Sequence, residues 1–397
     1  MFYSENAMSA ILLCSYLGIN KDDLLKPFSL GEWNSFLDKL IEIKEEPSVI
    51  FKTGYHWIEK MNYSKEQKER INQLILRGAS VAFELESLEK KGIQVVTLFD
   101  ANYPVLLKRK LKRKTPPILF YAGNLELAKK IGIAVVGSRN VDDDGIEFTK
   151  KLVEKASKEK LIVYSGGARG VDTVSESIAL NSGGAVVSFI ADSLLSKIKK
   201  QDVINNIISG KLLLFSDVKP DMGFSAARAM NRNKYIYASA YGAFVVASDD
   251  SKGGTWTGAI ESINNNFTKT LIWNNKKYEG NVKLMEKGGV PYEITEESIY
   301  SVITKKQQTF EQLNLFGNNM YADNVKKENE VDNVFHKNDI YNMVKTFLIK
   351  YMETGKSLEE IANNFNILDS QMQIWLDSMC QEKLVVFDKG VYQKCRE

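Results

Sequence analysis

The sequence predicts an α/β protein: a mostly parallel sheet covered by helices on both faces, with a helical domain before it and a small helix-and-hairpin module after it. Three observations carry this reading. From Gly92 to about residue 300, short β-branched runs alternate with helix-like stretches, the pattern of parallel strands joined by crossover helices. Two of these runs stop in close succession at glycine-rich turns, Ile131-Gly-Ile-Ala-Val-Val-Gly-Ser-Arg139 and Leu161-Ile-Val-Tyr-Ser-Gly-Gly-Ala-Arg-Gly-Val-Asp172. Before them, residues 1–88 carry apolar side chains at helical spacing, as in Trp33, Phe36, Leu37, Leu40 and Ile41.

The elements follow in order. After the helical domain (1–88), strands are expected at Gly92–Phe99, Ile118–Tyr121, Ile133–Val136, Leu161–Tyr164, Ala185–Ile190, Lys211–Phe215, Ala243–Ala247 and Thr270–Trp273. Helices are expected at Gly145–Glu159 and Thr173–Asn181, and the α/β domain spans 89–303. Residues 304–338 are polar, rich in Asn, Lys, Glu and Gln, and without a period, which reads as a linker. From 339 to 397 structure returns. Ile340–Met352 is amphipathic, Ser357-Leu-Glu-Glu360 is a capping box for a helix through Phe365, and Ser370–Glu382 is a third helix. Leu384–Tyr392 then alternates around Asp388-Lys-Gly390, a hairpin signal. Three helices and a hairpin make a winged-helix module.

Composition narrows the function. At 397 residues the chain is long enough for two to four domains, and 44% hydrophobic with 26% charged residues is ordinary for a soluble protein. A net charge of +3 means that any nucleic-acid binding needs a local basic surface. Three scattered cysteines (Cys14, Cys380, Cys395) and two histidines (His56, His336) form no metal, disulfide or triad pattern. No catalytic residues, metal or cofactor are therefore expected. The apolar run Met8–Leu17 falls short of the roughly 20 residues of a membrane span and lacks the flanks of a signal peptide, so a cytoplasmic location is expected.

The glycine turns carry the chemistry. A strand ending in glycine and leading into a helix presents backbone N–H groups to an anion. Gly137-Ser138-Arg139 lacks the further glycines of a dinucleotide fingerprint, and alone it is equally a tight connection. Ser165-Gly166-Gly167-Ala-Arg169-Gly170 is stronger, since its glycines admit close backbone approach and Arg169 offers a planar fork. Asp172 beside it reads most simply as a helix N-cap. Arg232, Asn233 and Lys234 precede the strand at Ala243, and Gly253-Gly254-Thr255 make a third turn into a helix. Three such turns in one domain point to a phosphate-binding edge. Trp256 reads as a packed residue rather than a base-stacking one. Lys108-Arg-Lys110 and Lys112-Arg-Lys114 are either a solvated connection or a contact to a DNA backbone.

The order of these pieces resembles the DNA-processing protein A (DprA, or Smf) family across most of residues 88–300. Leu88–Thr97, Asp100-Ala-Asn-Tyr-Pro104 and Pro116-Pro-Ile-Leu-Phe-Tyr-Ala-Gly123 are similar to its entry into the sheet, and the glycine turns to its central loops. Arg232-Asn-Lys234 resembles its Arg-Asn-Arg motif, and Gly280-Asn281 through Gly288-Gly-Val-Pro291 its closing segment. There are departures. Lysine stands at 234, Ser175-Glu176 occupies the place of a usual histidine, and Asp192–Gln201 replaces a Tyr-Pro segment. The resemblance implies a Rossmann-like core, sequence-independent binding of single-stranded DNA, homodimerisation, and delivery of the strand to the RecA recombinase, with no enzymatic step. Gln312, Leu313, Leu315 and Phe316 also look like a sliding-clamp docking peptide.

Two other readings stay open. In a nucleotide-sensing module the same edge would take a small nucleotide. In an N-glycosidase of the related LOG type, Glu261 would act, although it falls one residue later than that motif requires. A one-residue slip turns a helical side chain by about 100°.

Overall fold

A computed structural model describes residues 3–20, 23–52, 56–305, 348–349, 351–352, 354–365, 369–388 and 390–395. The chain divides into two compact units, Met1–Gln308 and Thr309–Glu397.

The first unit is built on a nine-stranded sheet: β1 (Gln94–Thr97), β2 (Ile118–Gly123), β3 (Gly132–Val136), β4 (Ile162–Ser165), β5 (Val186–Phe189), β6 (Leu212–Ser216), β7 (Gly242–Val245), β8 (Lys269–Trp273) and β9 (Val290–Tyr292). Their order is β1-β2-β6-β5-β4-β3-β7-β8-β9. The seven strands from β6 to β9 run parallel, while β2 is antiparallel to both β1 and β6. The sheet is thus wound from β3 outward in both directions, and its topological switch lies between β3 and β7. Ligands of doubly wound sheets sit at the carboxyl ends of the strands beside such a switch.

Eight of the nine strands match runs expected from the sequence. The ninth, β9, is three residues long and contains Pro291, so it carries too little pattern to read; as an edge strand it tolerates the missing proline donor.

The helices of seven residues or more in this unit are α1 (Glu5–Cys14), α2 (Leu30–Glu42), α3 (Lys65–Leu76), α4 (Gly78–Glu89), α5 (Val105–Leu111), α6 (Asp143–Lys158), α7 (Val171–Asn181), α8 (Gln201–Ile208), α9 (Ala226–Ser239), α10 (Gly253–Asn264) and α11 (Glu279–Glu286). Local chemistry starts several of them. Ser29 with Glu32, and Ser64 with Gln67, form reciprocal capping boxes, and Asp142 caps α6 through the Gly145 N–H.

One apolar cluster joins residues of α1–α4, such as Leu12, Trp33, Phe36 and Leu74, to sheet residues such as Val95, Ile118 and Ile133, and on to α6. The N-terminal helices therefore cover one sheet face and share its core, in place of burying a core of their own. The other face packs α5, α9, α10 and α11 over Leu119, Tyr164, Phe215 and Val245. Phe148 of α6 stacks on Trp273 of β8 at 4.4 Å between ring centroids.

The second unit contains α12 (Leu358–Phe365), α13 (Asp369–Gln381) and a hairpin of β10 (Val385–Asp388) with β11 (Val391–Lys394). The Ser357–Glu360 capping box is present, at 2.8 and 3.2 Å. Leu348, Met352, Ile361, Trp375 and Leu376 make its core. Gln373 donates to Asp377 and to the Tyr392 hydroxyl, which ties α13 to the hairpin. Of the expected first helix, 340–352, only four residues are described, and the linker 306–338 lies outside the described residues. Among the described residues, no helix is long and apolar enough to cross a membrane.

Candidate phosphate-binding site

The three glycine turns follow β3, β4 and β7, which are neighbours in the sheet and parallel. All three therefore open on one edge, at the switch point. The turns lock together through backbone: the Ser138 N–H donates to Ala247 O at 2.8 Å, and the Val171 N–H to Ser138 O at 3.3 Å. The contacts leave no room for side chains. A Cβ at Gly137 would lie 2.5 Å from Val171 Cγ2, and one at Gly170 would lie 2.3 Å from Ser138 O.

Between the turns is a cleft of about 290 Å³, lined by Gly137, Ser138, Arg139, Arg232, Asn233, Gly253, Gly254 and Thr255 among others. Eight of the residues expected at the site thus converge. The first N–H groups of α10 add to it, because a helix N-terminus leaves its first donors without intrahelical partners. The start of α10 has no side-chain cap, and Asn233 donates to Gly254 O at 3.0 Å, which holds α9 against it.

Arg232 is the centre of the arrangement. Its side chain is buried, with the residue 5% exposed, and lies directly over Gly166, where a Cβ would fall 1.3 Å from Nη1. Only a glycine there lets the Nη1 edge of the guanidinium reach the turn. Asp172 is 3.9 Å away and also buried. Arg232 Nε and Nη1, with the Tyr237 hydroxyl and Ser165 Oγ, make no hydrogen bond among the described residues. Burial pushes the Asp172 carboxyl up against the pull of Arg232. Burial also lowers Arg232, but a guanidinium stays protonated at neutral pH. A buried cation that lines a cleft and has unused donors is suited to an anion.

The remaining expected residues take other places. Ser165, Gly166, Gly167 and Gly170 form the floor of the turn, not the lining of the cleft. Arg169 lies on an adjoining cleft, held by Arg139 O and Asn140 Oδ1. Lys234 is directed away from the cleft: two positions along α9 is about 200° of rotation, and its Nζ bonds Asn231 Oδ1 at 2.6 Å. Asp172 is no N-cap. The cap position is Gly170, and Asp172 lies inside α7, facing Arg232 and accepting from the Ala168 N–H at 3.3 Å. Trp256 is partly buried against the core, as its packed reading requires.

Glu261 is absent from the cleft lining and lies 3.7 Å from Lys114 Nζ. Much of the basic run at 108–114 is tied to protein. Lys108 donates to Leu98 O, Lys110 to Ala240 O at 2.5 Å, and Arg113 forms a fork with Asp38. Sequence reasoning missed Asn140, Tyr237, Asp249 and Lys252, which line the cleft. Their polar or aromatic character carries no signal until the turns are assembled. Among the described residues, no cluster of three or more His, Cys, Asp and Glu is placed to hold a metal ion.

Glu176 supports the second turn from below. Its Oε1 accepts from the Gly167 N–H at 2.9 Å and from Ser188 Oγ at 2.7 Å. Burial, aided by Asp172 and opposed by Ser188, Gly167 and Lys197, raises its carboxyl from 4.5 to about 7. Between those two values the folded chain holds a proton that the unfolded chain has lost, so stability falls as pH rises through this window and levels above it. The expected loss from this group is about 3 kcal/mol, as an upper value. Glu176→Gln should flatten that decline and unfold later than the parent at pH 8, as thermal melts from pH 4.5 to 8 would measure. A parallel decline in both proteins would show that Glu176 does not titrate there.

A doubly wound sheet with three adjacent glycine turns around a buried arginine defines an α/β domain with its ligand edge at the switch point. The family model for DNA recombination-mediator protein A matches residues 94–304, from β1 to the short helix Ile299–Thr304, and the chain belongs to that family. It is 39% identical over 79 residues to DNA processing protein DprA of Streptococcus pneumoniae, covering 20% of this chain and 28% of that protein. It is 30% identical over 114 residues to protein Smf of Synechocystis, covering 28% of each. The chain thus spans under a third of the length of either relative. The X-ray structure of DNA processing protein A from Streptococcus pneumoniae superposes with a TM-score of 0.56 at 18% identity, over 74% of this chain and 95% of that one. That likeness extends the fold assignment to the described α/β unit.

Proposed function

We propose that this chain binds single-stranded DNA without reading its sequence, holding the strand's phosphates on the edge formed by β4, β3 and β7. The observation that carries the proposal is Arg232, a buried guanidinium that lines a cleft rimmed by glycine turns and has two donor atoms without a hydrogen-bond partner. Arg139 and Lys252 on the same rim add exposed positive charge. Membership of a recombination-mediator family favours a DNA strand over a free nucleotide as the source of the phosphates.

The proposal extends to a role in recombination or DNA processing as a homodimer in the cytoplasm, without a catalytic step, and to delivery of the strand to the RecA recombinase. These parts rest on the family resemblance. Docking on a sliding clamp through Gln312, Leu313, Leu315 and Phe316 is also proposed; these residues lie outside the described ones. If Leu315→Ala with Phe316→Ala leaves clamp binding unchanged, that docking is wrong.

A salt titration tests the central claim. With Arg139, Arg169, Arg232 and Lys252 each neutralising one phosphate, log affinity for a labelled (dT)20 should fall against log salt with a slope of roughly −3. Arg139→Ala should weaken binding about tenfold and make the slope shallower by about 0.7. Salt-insensitive binding, or none at low salt, would count against the reading.

A further inference from the structure

Beside the phosphate cleft lies a second, more open one of about 480 Å³, lined by Arg139, Asn140, Ala168, Arg169 and Phe224. It shares Arg139, Asn140 and Ala168 with the first cleft, so the two run into each other. We propose that Phe224, with Arg139 and Arg169, forms a base-stacking subsite for the nucleotide next to the one whose phosphate enters the first cleft. The inference rests on the DNA-binding reading above and deepens it, since a free mononucleotide would fill only one of the two clefts.

Three features support it. Phe224 sits in the loop between β6 and α9 and is 58% exposed, although an apolar ring there gains nothing from water. The loop is braced: the Met222 N–H donates to Lys219 O at 2.9 Å, and Arg228 donates to Gly223 O. The ring is thus presented from a fixed turn.

The charge beside the ring is also specific. The Arg139 guanidinium lies 5.7 Å from the Phe224 centroid, within cation–π range. Arg169 is anchored by Arg139 O and Asn140 Oδ1, which uses two of its five donors. Two arginines, one aromatic ring, one side-chain amide and no carboxylate line this cleft, whereas Asp172 and Asp249 line the first. A planar face flanked by cations matches a base joined to phosphate, and aromatic stacking tolerates any base. A subsite of that kind extends the ligand along a strand without adding sequence preference.

The test uses the full chain, labelled (dT)20 and free dTMP. Phe224→Ala should weaken (dT)20 binding by about 5- to 50-fold, with an unchanged salt slope, because no phosphate contact is removed. Phe224→Trp should restore the affinity. Relative to the parent with its five tryptophans, it should show added emission that (dT)20 quenches and dTMP or inorganic polyphosphate does not.

Parent-like (dT)20 affinity in Phe224→Ala, beside a clear loss in Arg139→Ala, would overturn the subsite and leave the DNA-binding reading standing. A salt slope that falls with Phe224→Ala would show the ring acting only through Arg139, which also overturns stacking. Displacement of (dT)20 by a poly-glutamate peptide as readily as by unlabelled (dT)20 would assign the cleft to acidic protein segments instead. Failure of the parent chain to bind (dT)20 in low salt would remove both readings together.

Discussion

Replacing Arg232 by lysine is expected to weaken binding of (dT)20 about 100-fold while leaving the protein folded. Lysine keeps the positive charge near Asp172, which lies 3.9 Å from Arg232 Nη1, so the buried carboxyl retains a partner. What it loses is the planar group of several donors. Nε and Nη1 are the two donor atoms without a hydrogen-bond partner, they lie on different edges of the guanidinium, and an ammonium, which ends in one nitrogen, cannot take both places. A hydrogen bond from a charged donor contributes about 1.5–3 kcal/mol, so losing one such bond corresponds to roughly two orders of magnitude in affinity. Fluorescence anisotropy on the variant, beside a thermal melt, measures both halves of the expectation. Binding within threefold of the parent would make Arg232 a structural residue and remove the main support for the proposed site.

The largest effect on stability is expected from Gly170→Ala, a loss of about 3–5 kcal/mol. Gly170 has φ +85° and ψ −132°, a conformation that side chains rarely adopt and that costs roughly 1–3 kcal/mol to impose on them. Its missing Cβ is also the point where two loops meet, 2.3 Å from Ser138 O and 2.7 Å from Arg139 Cα. Both neighbours are backbone, so neither can rotate aside, and overpacking adds about 1–3 kcal/mol. The displaced turn carries Arg139, so binding should fail together with stability. Urea unfolding of variant and parent measures the first effect. A change below about 1 kcal/mol would mean that the two turns are not locked together as described. Gly183, also at positive φ but with open space where its Cβ would lie, is the control. There, alanine should cost only the backbone term of roughly 1–2 kcal/mol.

Much of the central sheet was legible because its strands are buried on both faces and read as continuous β-branched runs, as at Ile133–Val136 and Leu161–Tyr164. The capping box at Ser357 was legible because it is local. The antiparallel direction of β2 and the short edge strand β9 were not. Neither depends on a period in the chain; each depends on where a neighbouring strand ends. Asp172 illustrates the same limit. Beside a helix start, an aspartate reads as a cap, and only the approach of α9, distant in sequence, turns it toward an arginine.

The sequence by itself determined that this chain carries three strand-to-glycine turns, each with a cation near it, because turn chemistry and β-branched runs are local properties. Only the tertiary structure decided that the three turns share one edge, since that follows from β4, β3 and β7 being neighbours and not from their order in the chain. It also decided which cations face that edge. Arg232 and Lys234 are two residues apart in sequence, yet the pitch of one helix buries the first in the cleft and sends the second to Asn231. Phe224 gained its place in the same way, through a loop that leaves β6, three strands away from β3, and returns beside Arg139.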